Sequence, residues 1–256
     1  MSHDYPEFVA RFYDTVYAEV RDGVDNDYYL TLIAASPGPV LEIGAGTGRL
    51  FCEALKRGAD IEGLDISLAM LARAQAKLSE RERHRLLLAD AGSAQLERRY
   101  ALVLAPFRVL SHVEATEDQL RLLNNVHAHL LPGGRFVFDL YVPDPRILAD
   151  GMAEHVDFDG EYAPGRRLRR LVSARSDVVS QRTFGRMRFL WDEDGEQRQG
   201  DWDFVLRFFF RYELEHLVAR SRLTLESLHG DFQGGALAPD SREFVVTCRR
   251  AVPEIG

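Results

Sequence analysis

The sequence predicts an α/β protein, a doubly wound and mostly parallel sheet with an antiparallel β insertion. Three observations carry that reading. Between residues 40 and 140, short apolar runs of buried-strand type alternate with amphipathic helical patterns. The first run passes through three glycines at alternate positions, Gly44, Gly46 and Gly48, and opens into a helix, a turn that lets a ligand approach the backbone closely. From 144 to 210 the helical periodicity disappears, and alternating segments appear at 166–174, 182–191 and 197–210, with a turn signal at Asp192-Glu193-Asp194-Gly195. The chain then divides into an N-terminal helical cover (1–35), a core in two pieces (36–143 and 211–256) and a β-rich insertion (144–210).

The organising stretch is Val40-Leu41-Glu42-Ile43-Gly44-Ala45-Gly46-Thr47-Gly48-Arg49-Leu50. The helix at its end points free N–H groups and its dipole at the turn, so an anion or carboxylate is the natural guest. Asp65 ends a second apolar run, Ile61-Glu62-Gly63-Leu64, about twenty residues on, where a nucleotide-binding α/β unit needs a carboxylate for two ribose hydroxyls. The dinucleotide fingerprint is Gly-x-Gly-x-x-Gly; here the run is Gly44-x-Gly46-x-Gly48, with Glu42 two residues before it. That form resembles motif I of the class I S-adenosylmethionine (SAM) dependent methyltransferases. Later motifs of that family are matched in order at Asp65, Leu88-Ala89-Asp90-Ala91 and Leu131-Pro132-Gly133-Gly134. The resemblance covers residues 36–143 and 221–250. It implies a Rossmann-like seven-stranded sheet in the order 3-2-1-4-5-7-6, with SAM as methyl donor and S-adenosylhomocysteine (SAH) as product.

Composition narrows the class. A chain of 256 residues with 46% hydrophobic and 28% charged residues is ordinary for one large soluble domain. A net charge of −8 argues against a nucleic-acid partner, because phosphate neutralisation needs a basic surface. No apolar run approaches the ~20 residues of a membrane span. Met1-Ser2-His3-Asp4-Tyr5-Pro6-Glu7 has neither a basic n-region nor an apolar h-region, so a cytoplasmic location is expected. Cys52 and Cys248 suggest neither a disulfide scaffold nor a metal site.

In chain order, residues 6–20 read as an amphipathic helix carrying Phe8, Val9, Phe12, Tyr13, Val16 and Tyr17, broken at Asp22-Gly23. Asp25 or Asp27 is expected to cap a second helix through Ile33, which Ser36-Pro37-Gly38-Pro39 ends. These helices either simply cover the sheet or close over the cofactor, as in the small-molecule methyltransferases the chain resembles. Aminosugar N-methyltransferases carry a Tyr-Asp pair here, matched by Tyr13-Asp14, which implies a place for Tyr13 at the cofactor or substrate. After the glycine turn a helix runs through Leu55 and stops at Gly58. A strand follows at 60–65, then a helix capped by Ser67 with Leu68, Leu71, Ala74 and Leu78 on its apolar face. Met70, one turn in, is either core or, as the resemblance implies, set against the adenine.

The third strand, Arg85–Ala89, places Asp90 at its carboxyl end, where open parallel sheets bind ligands. Asp90 either accepts from the adenine amino group or only caps the next turn. Ala45, Ile66, Ala91 and Ala105 flank these positions and complete the candidate cofactor site with Tyr13, Glu42, Gly44, Gly46, Gly48, Asp65, Met70 and Asp90. The fourth strand, Tyr100–Ala105, continues into Pro106-Phe107-Arg108-Val109-Leu110-Ser111-His112-Val113, the segment that lies beside the transferred methyl in the family's fold. It lacks the Asn/Asp-Pro-Pro-Tyr/Phe sequence of enzymes that modify amide or base nitrogens, which counts against those acceptors. Thr116-Glu117-Asp118-Gln119 reads as a capping box for a helix through Leu130, with His127 and His129 on its surface. Pro132-Gly133-Gly134 turns into a fifth strand at 135–140.

Within the insertion, Arg166 to Arg188 holds eight arginines against one acid, Asp177. That is either the solvated face of a β-ribbon or a site for an anionic substrate group. A helix at 212–219 and strands at 221–228 and 242–249 match the terminal hairpin of the methyltransferase fold. Where the family often has Ala-Gly-Phe, this chain has Ala219-Arg220-Ser221-Arg222.

Methyl transfer is an in-line displacement, so alignment does most of the work, and a base helps only if the acceptor must lose a proton. His112 is the only histidine on the segment 106–113 that continues the fourth strand, and aminosugar N-methyltransferases have a histidine in a similar context. It is either the general base or a structural histidine, and Tyr13 joins it as a candidate catalytic residue. The expected function is methylation of a small molecule, anionic in one reading of the arginines, with an amine nitrogen preferred over a hydroxyl oxygen. The expected assembly is a monomer or homodimer. Two other classes are a SAM-binding protein without transferase activity and a nicotinamide-dependent dehydrogenase; the glycine spacing argues against the second.

Overall fold

The computed structural model describes residues 5–20 and 23–251. Met1–Asp4, where no leader was expected, and Asp22 of the expected helix break lie outside the described residues. Two helices, α1 (Glu7–Val20) and α2 (Val24–Ala34), precede an alternating core. That core runs β1 (Val40–Ile43), α3 (Arg49–Lys56), β2 (Ile61–Asp65), α4 (Leu68–Ala76), β3 (Leu86–Leu88), β4 (Tyr100–Ala105), α5 (Thr116–His129) and β5 (Leu130–Tyr141). A short helix, α6 (Pro145–Asp150), leads into four long strands, β6 (Met152–Ala163), β7 (Arg166–Asp177), β8 (Arg182–Glu193) and β9 (Glu196–Arg207). Then α7 (Arg211–Arg220), β10 (Thr224–His229) and β11 (Glu243–Arg249) close the chain.

The main sheet has the order β10-β11-β5-β4-β1-β2-β3. Leaving out the four inserted strands, this is the order 3-2-1-4-5-7-6 that the resemblance implied. All pairings are parallel except those of β11 with β5 and β10. Strand order reverses between β1 and β4, the switch point where a crevice opens beyond the carboxyl ends of the strands. β1 is buried along its whole length, which explains its unbroken apolar run.

The inserted strands form a separate antiparallel sheet in sequence order. Phe158, Leu168 and Phe189 on one of its faces pack with Val9, Phe12 and Val16 of α1. The insertion and the N-terminal helix thus bury each other. Among the described residues no helix is long and apolar enough to cross a membrane.

Several local expectations are corrected. Gly23, in the left-handed region at φ 78°, precedes α2 in place of an aspartate cap, and Asp25 is buried inside the helix with an ion pair to Arg49 at 2.9 Å. Leu68 is not on the buried face of α4 but 64% exposed. Ala115, not Thr116, is the N-cap of α5, and it makes no side-chain bond. His129 is buried rather than on the surface: its Nε2 accepts from the Leu96 amide at 3.0 Å, and its Nδ1 lies 2.9 Å from the Asn125 carbonyl. Pro132-Gly133-Gly134 lies within β5. A Cβ at Gly134 would come within 2.9 Å of the Leu131 carbonyl oxygen, so the strand needs glycine there.

Candidate active site

The crevice is built from the glycine turn outward. Gly44 has φ 73°, and a Cβ there would come within 2.4 Å of Val109 Cγ2. The turn is therefore tight both because of its conformation and because the segment after β4 packs directly on it. Asp65, at the end of β2, accepts from the Gly46 amide and the Ser67 amide, each at 2.8 Å. One carboxylate thus ties the glycine turn to the start of α4. Ser67 caps that helix through the Met70 amide at 3.4 Å.

Glu42 is 2% exposed, and its Oε2 has no hydrogen-bond partner. Burial pushes its carboxyl up to about 8, opposed by the Arg49 charge and assisted by Asp65. An orphaned carboxylate oxygen at the wall of a crevice marks a place for a cationic or hydrogen-bond-donating ligand group. From above, α1 is fastened over the turn: Asp14 accepts from the Thr47 hydroxyl at 2.6 Å and from Lys77 Nζ at 2.5 Å, and Lys77 also donates to the Thr47 carbonyl at 2.8 Å.

One cavity of about 600 Å³ runs through this region. Glu42, Gly44, Ala45, Gly46, Asp65, Ile66, Met70, Asp90 and Ala91 line one part of it. Tyr13 and His112 line it as well, with Tyr5, Phe107, Arg182, Phe184 and Val205. Two expected positions are not in its wall. Ala105 is 1% exposed inside the core, and Gly48 serves packing, since a Cβ there would lie 2.8 Å from Cys52 Sγ. Asp90 does cap the following turn, accepting from the Gly92 amide at 2.8 Å and the Ser93 hydroxyl at 3.3 Å, and it also faces the cavity.

The far part of the cavity is aromatic. Tyr13 stands edge-on to Tyr5 and Phe107, with ring centres 6.3 and 6.4 Å away. Tyr5 packs against Trp202 at 4.6 Å, and its hydroxyl is 3.4 Å from His112 Nε2. Burial raises the pKa of the Tyr5 hydroxyl well above the ordinary phenol value, so it stays protonated. Phe184 and Val205 face each other across β8 and β9. Sequence reasoning missed Tyr5, Phe107, Phe184 and Val205 and did not single out Arg182 within the arginine-rich stretch. Phe107 lay within the segment already singled out after β4. Tyr5, Phe184 and Val205 reach the site only through tertiary packing and strand register, which leave no local signal.

Of the eight arginines between 166 and 188, Arg182 alone lines the cavity, where it pairs with Glu114 at 2.9 Å. Arg167 and Arg169 both bond Asp159, at 2.7 and 2.8 Å. Arg186 pairs with Asp203 at 2.6 Å, and Arg188 with Asp201 at 3.0 Å. Arg170 is buried and pairs with Asp157 at 2.6 Å while lying over the Tyr17 ring. The acids come from the neighbouring strands β6 and β9, so the arginine excess seen along the chain is balanced across the sheet.

A family model described as a methyltransferase domain matches residues 40–134. Malonyl-[acyl-carrier protein] O-methyltransferase 1 of Ilyobacter polytropus is 31% identical over 104 residues, which are 40% of this chain and 37% of that protein. The chain thus spans well under half the length of that relative. The CcbJ methyltransferase of Streptomyces caelestis superposes with a TM-score of 0.75 at 25% identity, covering 90% of this chain and 97% of that one. The sugar N-methyltransferase KedS8 of Streptoalloteichus sp. is similar in fold, with a TM-score of 0.72 at 22% identity over 93% of this chain and 92% of that one.

Proposed function

We propose that this chain, whose core is a class I methyltransferase domain, is a SAM-dependent enzyme that methylates a small molecule at an amine nitrogen. The observation that carries the proposal is the single cavity joining the glycine turn to an aromatic chamber. At the glycine turn, the donor set fits SAM. The unpartnered Glu42 oxygen suits an ammonium group, and the Asp65 carboxylate, at the carboxyl end of its strand in the cavity wall, stands where ribose hydroxyls would be held. SAM, when bound, supplies a methyl group activated by its sulfonium.

In the aromatic chamber, Tyr5, Tyr13, Phe107 and Phe184 offer ring faces that suit both the apolar body of an acceptor and its amine as a cation. The Tyr5 hydroxyl and His112 Nε2 lie 3.4 Å apart in the same cavity wall, so one entering amine can meet both. His112 Nε2 accepts the proton that the amine sheds, and the protonated Tyr5 hydroxyl orients the nitrogen. The insertion and α1 pack on each other beside the chamber, and residues from both segments stand in its wall. KedS8, named a sugar N-methyltransferase, supports nitrogen as the acceptor atom, and an aminated sugar is the first acceptor to try. The name of the Ilyobacter relative favours oxygen as the second reading.

Matched pairs of small acceptors that differ only in an amine or a hydroxyl at one position test the proposal, with SAH release as the readout. Turnover of the amine member is expected. Turnover of the hydroxyl member alone would overturn the choice of nitrogen.

A further inference from the structure

One buried carboxylate beside the chamber has no part in the reaction described above. Asp139 of β5 is fully buried, at 0% exposure. Its Oδ1 accepts from the Tyr29 hydroxyl at 2.6 Å and from the Phe107 amide at 2.7 Å. Its Oδ2 accepts from the Arg108 amide at 3.2 Å. Two successive backbone amides therefore converge on one anion, the arrangement of an anion-binding nest, here filled from within the chain.

The turn that supplies those amides is strained. Phe107 and Arg108 both lie in the left-handed region, at φ 60° and 65°, and neither is glycine. Crowding of Cβ against the following carbonyl disfavours that conformation for each of them, so something must hold it. The strain has a visible product. The Phe107 ring is set edge-on to Tyr17, with ring centres 5.2 Å apart, under the Arg49 guanidinium and in the wall of the cavity. Next in the chain, Val109 packs on Gly44, and the 3-10 turn Val109–His112 ends at the Tyr5 contact. Burial first, and the Asp139 charge after it, keep the Tyr29 hydroxyl protonated and able to donate.

We infer that Asp139 is a positioning residue: its carboxylate, steadied by Tyr29, holds the Phe107–Arg108 turn in its left-handed form and so aims Phe107 and His112 at the acceptor chamber. The clamp is a property of the chain itself; its effect on turnover rests on the methyltransferase reading above.

Asp139→Asn in the full chain tests it. The amide keeps the shape but presents N–H groups where an oxygen accepted from Arg108. Amide hydrogen exchange of residues 106–112 is expected to quicken by about tenfold or more while β4 and β5 stay protected. SAH affinity, measured by calorimetry, is expected to stay within about threefold. The kcat/KM for the acceptor found by the amine–hydroxyl screen is expected to fall by about tenfold or more. Unchanged exchange at 106–112 in the folded variant would overturn the inference, as would a loss of SAH affinity equal to the loss of turnover. If Asp139→Asn does not fold, Tyr29→Phe keeps the charge and removes one support; it should quicken exchange over 106–112 selectively, and unchanged exchange there would reject the clamp. Failure of the parent protein to bind SAH would instead remove the methyltransferase reading, and the exchange measurement would still decide the clamp.

Discussion

Glu42→Gln probes the buried carboxylate at the head of the cofactor crevice. Glu42 is 2% exposed, and its carboxyl is pushed from 4.5 up to about 8. Because the folded value lies above the unfolded one, the folded state keeps its proton at pH values where the unfolded chain has lost it. Stability therefore falls as pH rises from about 4.5, and the full penalty is present above about 8. At 1.36 kcal/mol per pH unit, that gap corresponds to about 5 kcal/mol, of which about 3 is already felt at pH 7. Glutamine has nearly the same shape and cannot ionise. The variant should match the parent in thermal melts near pH 5 and exceed it by roughly 10 °C or more near pH 8.5. The same carboxyl should shed its proton on meeting the cofactor's ammonium group. Calorimetry of SAH binding at pH 7 in buffers of different ionisation heat should then show proton release from the parent and none from the variant. A melting difference that stays constant across pH would refute the account of Glu42 as a carboxyl held protonated by burial.

Three further outcomes are expected. Asp65→Ala removes the acceptor of two backbone amides as well as the proposed ribose partner, so it should weaken SAH binding by roughly 2–4 kcal/mol and also lower the melting temperature; calorimetry showing parental affinity in a folded variant would take Asp65 out of the site. His112→Asn should retain SAH affinity and lose about 10²–10⁴-fold in turnover; a fully active variant would leave His112 an orienting group at most. Arg167→Ala with Arg169→Ala should change neither acceptor KM nor SAH affinity, because both side chains are exposed and spent on Asp159; a raised acceptor KM would reinstate an anion site on that face.

The parts of this protein that repeat a local rule were legible in the chain. The strand-to-helix turn at Gly44–Gly48, the carboxylate of Asp65 and the Ser67 cap each follow from a few adjacent residues, and the sheet order followed from the family they resemble. What failed did so where the decisive partner is distant. Strand β6 was missed because its sequence, Met152–Ala163, is largely exposed and buries only Phe158, leaving no alternating pattern to read. The arginine-rich stretch suggested an anion site because the acids that balance it, Asp157, Asp159, Asp201 and Asp203, stand on neighbouring strands. His129 reads as a surface residue because the Leu96 amide that it accepts from lies outside its own helix. Tyr5, Phe184 and Val205 came to the cavity wall through packing of the N-terminal segment and the insertion, which no local spacing encodes.

The most direct measurement of the central claim is a calorimetric titration of the purified chain with SAH and, in parallel, with NADH. The glycine turn, the unpartnered Glu42 oxygen and Asp65 together lead to one-to-one binding of SAH, weakened in Asp65→Ala, and to no heat from NADH. Binding of NADH with no binding of SAH would contradict the account.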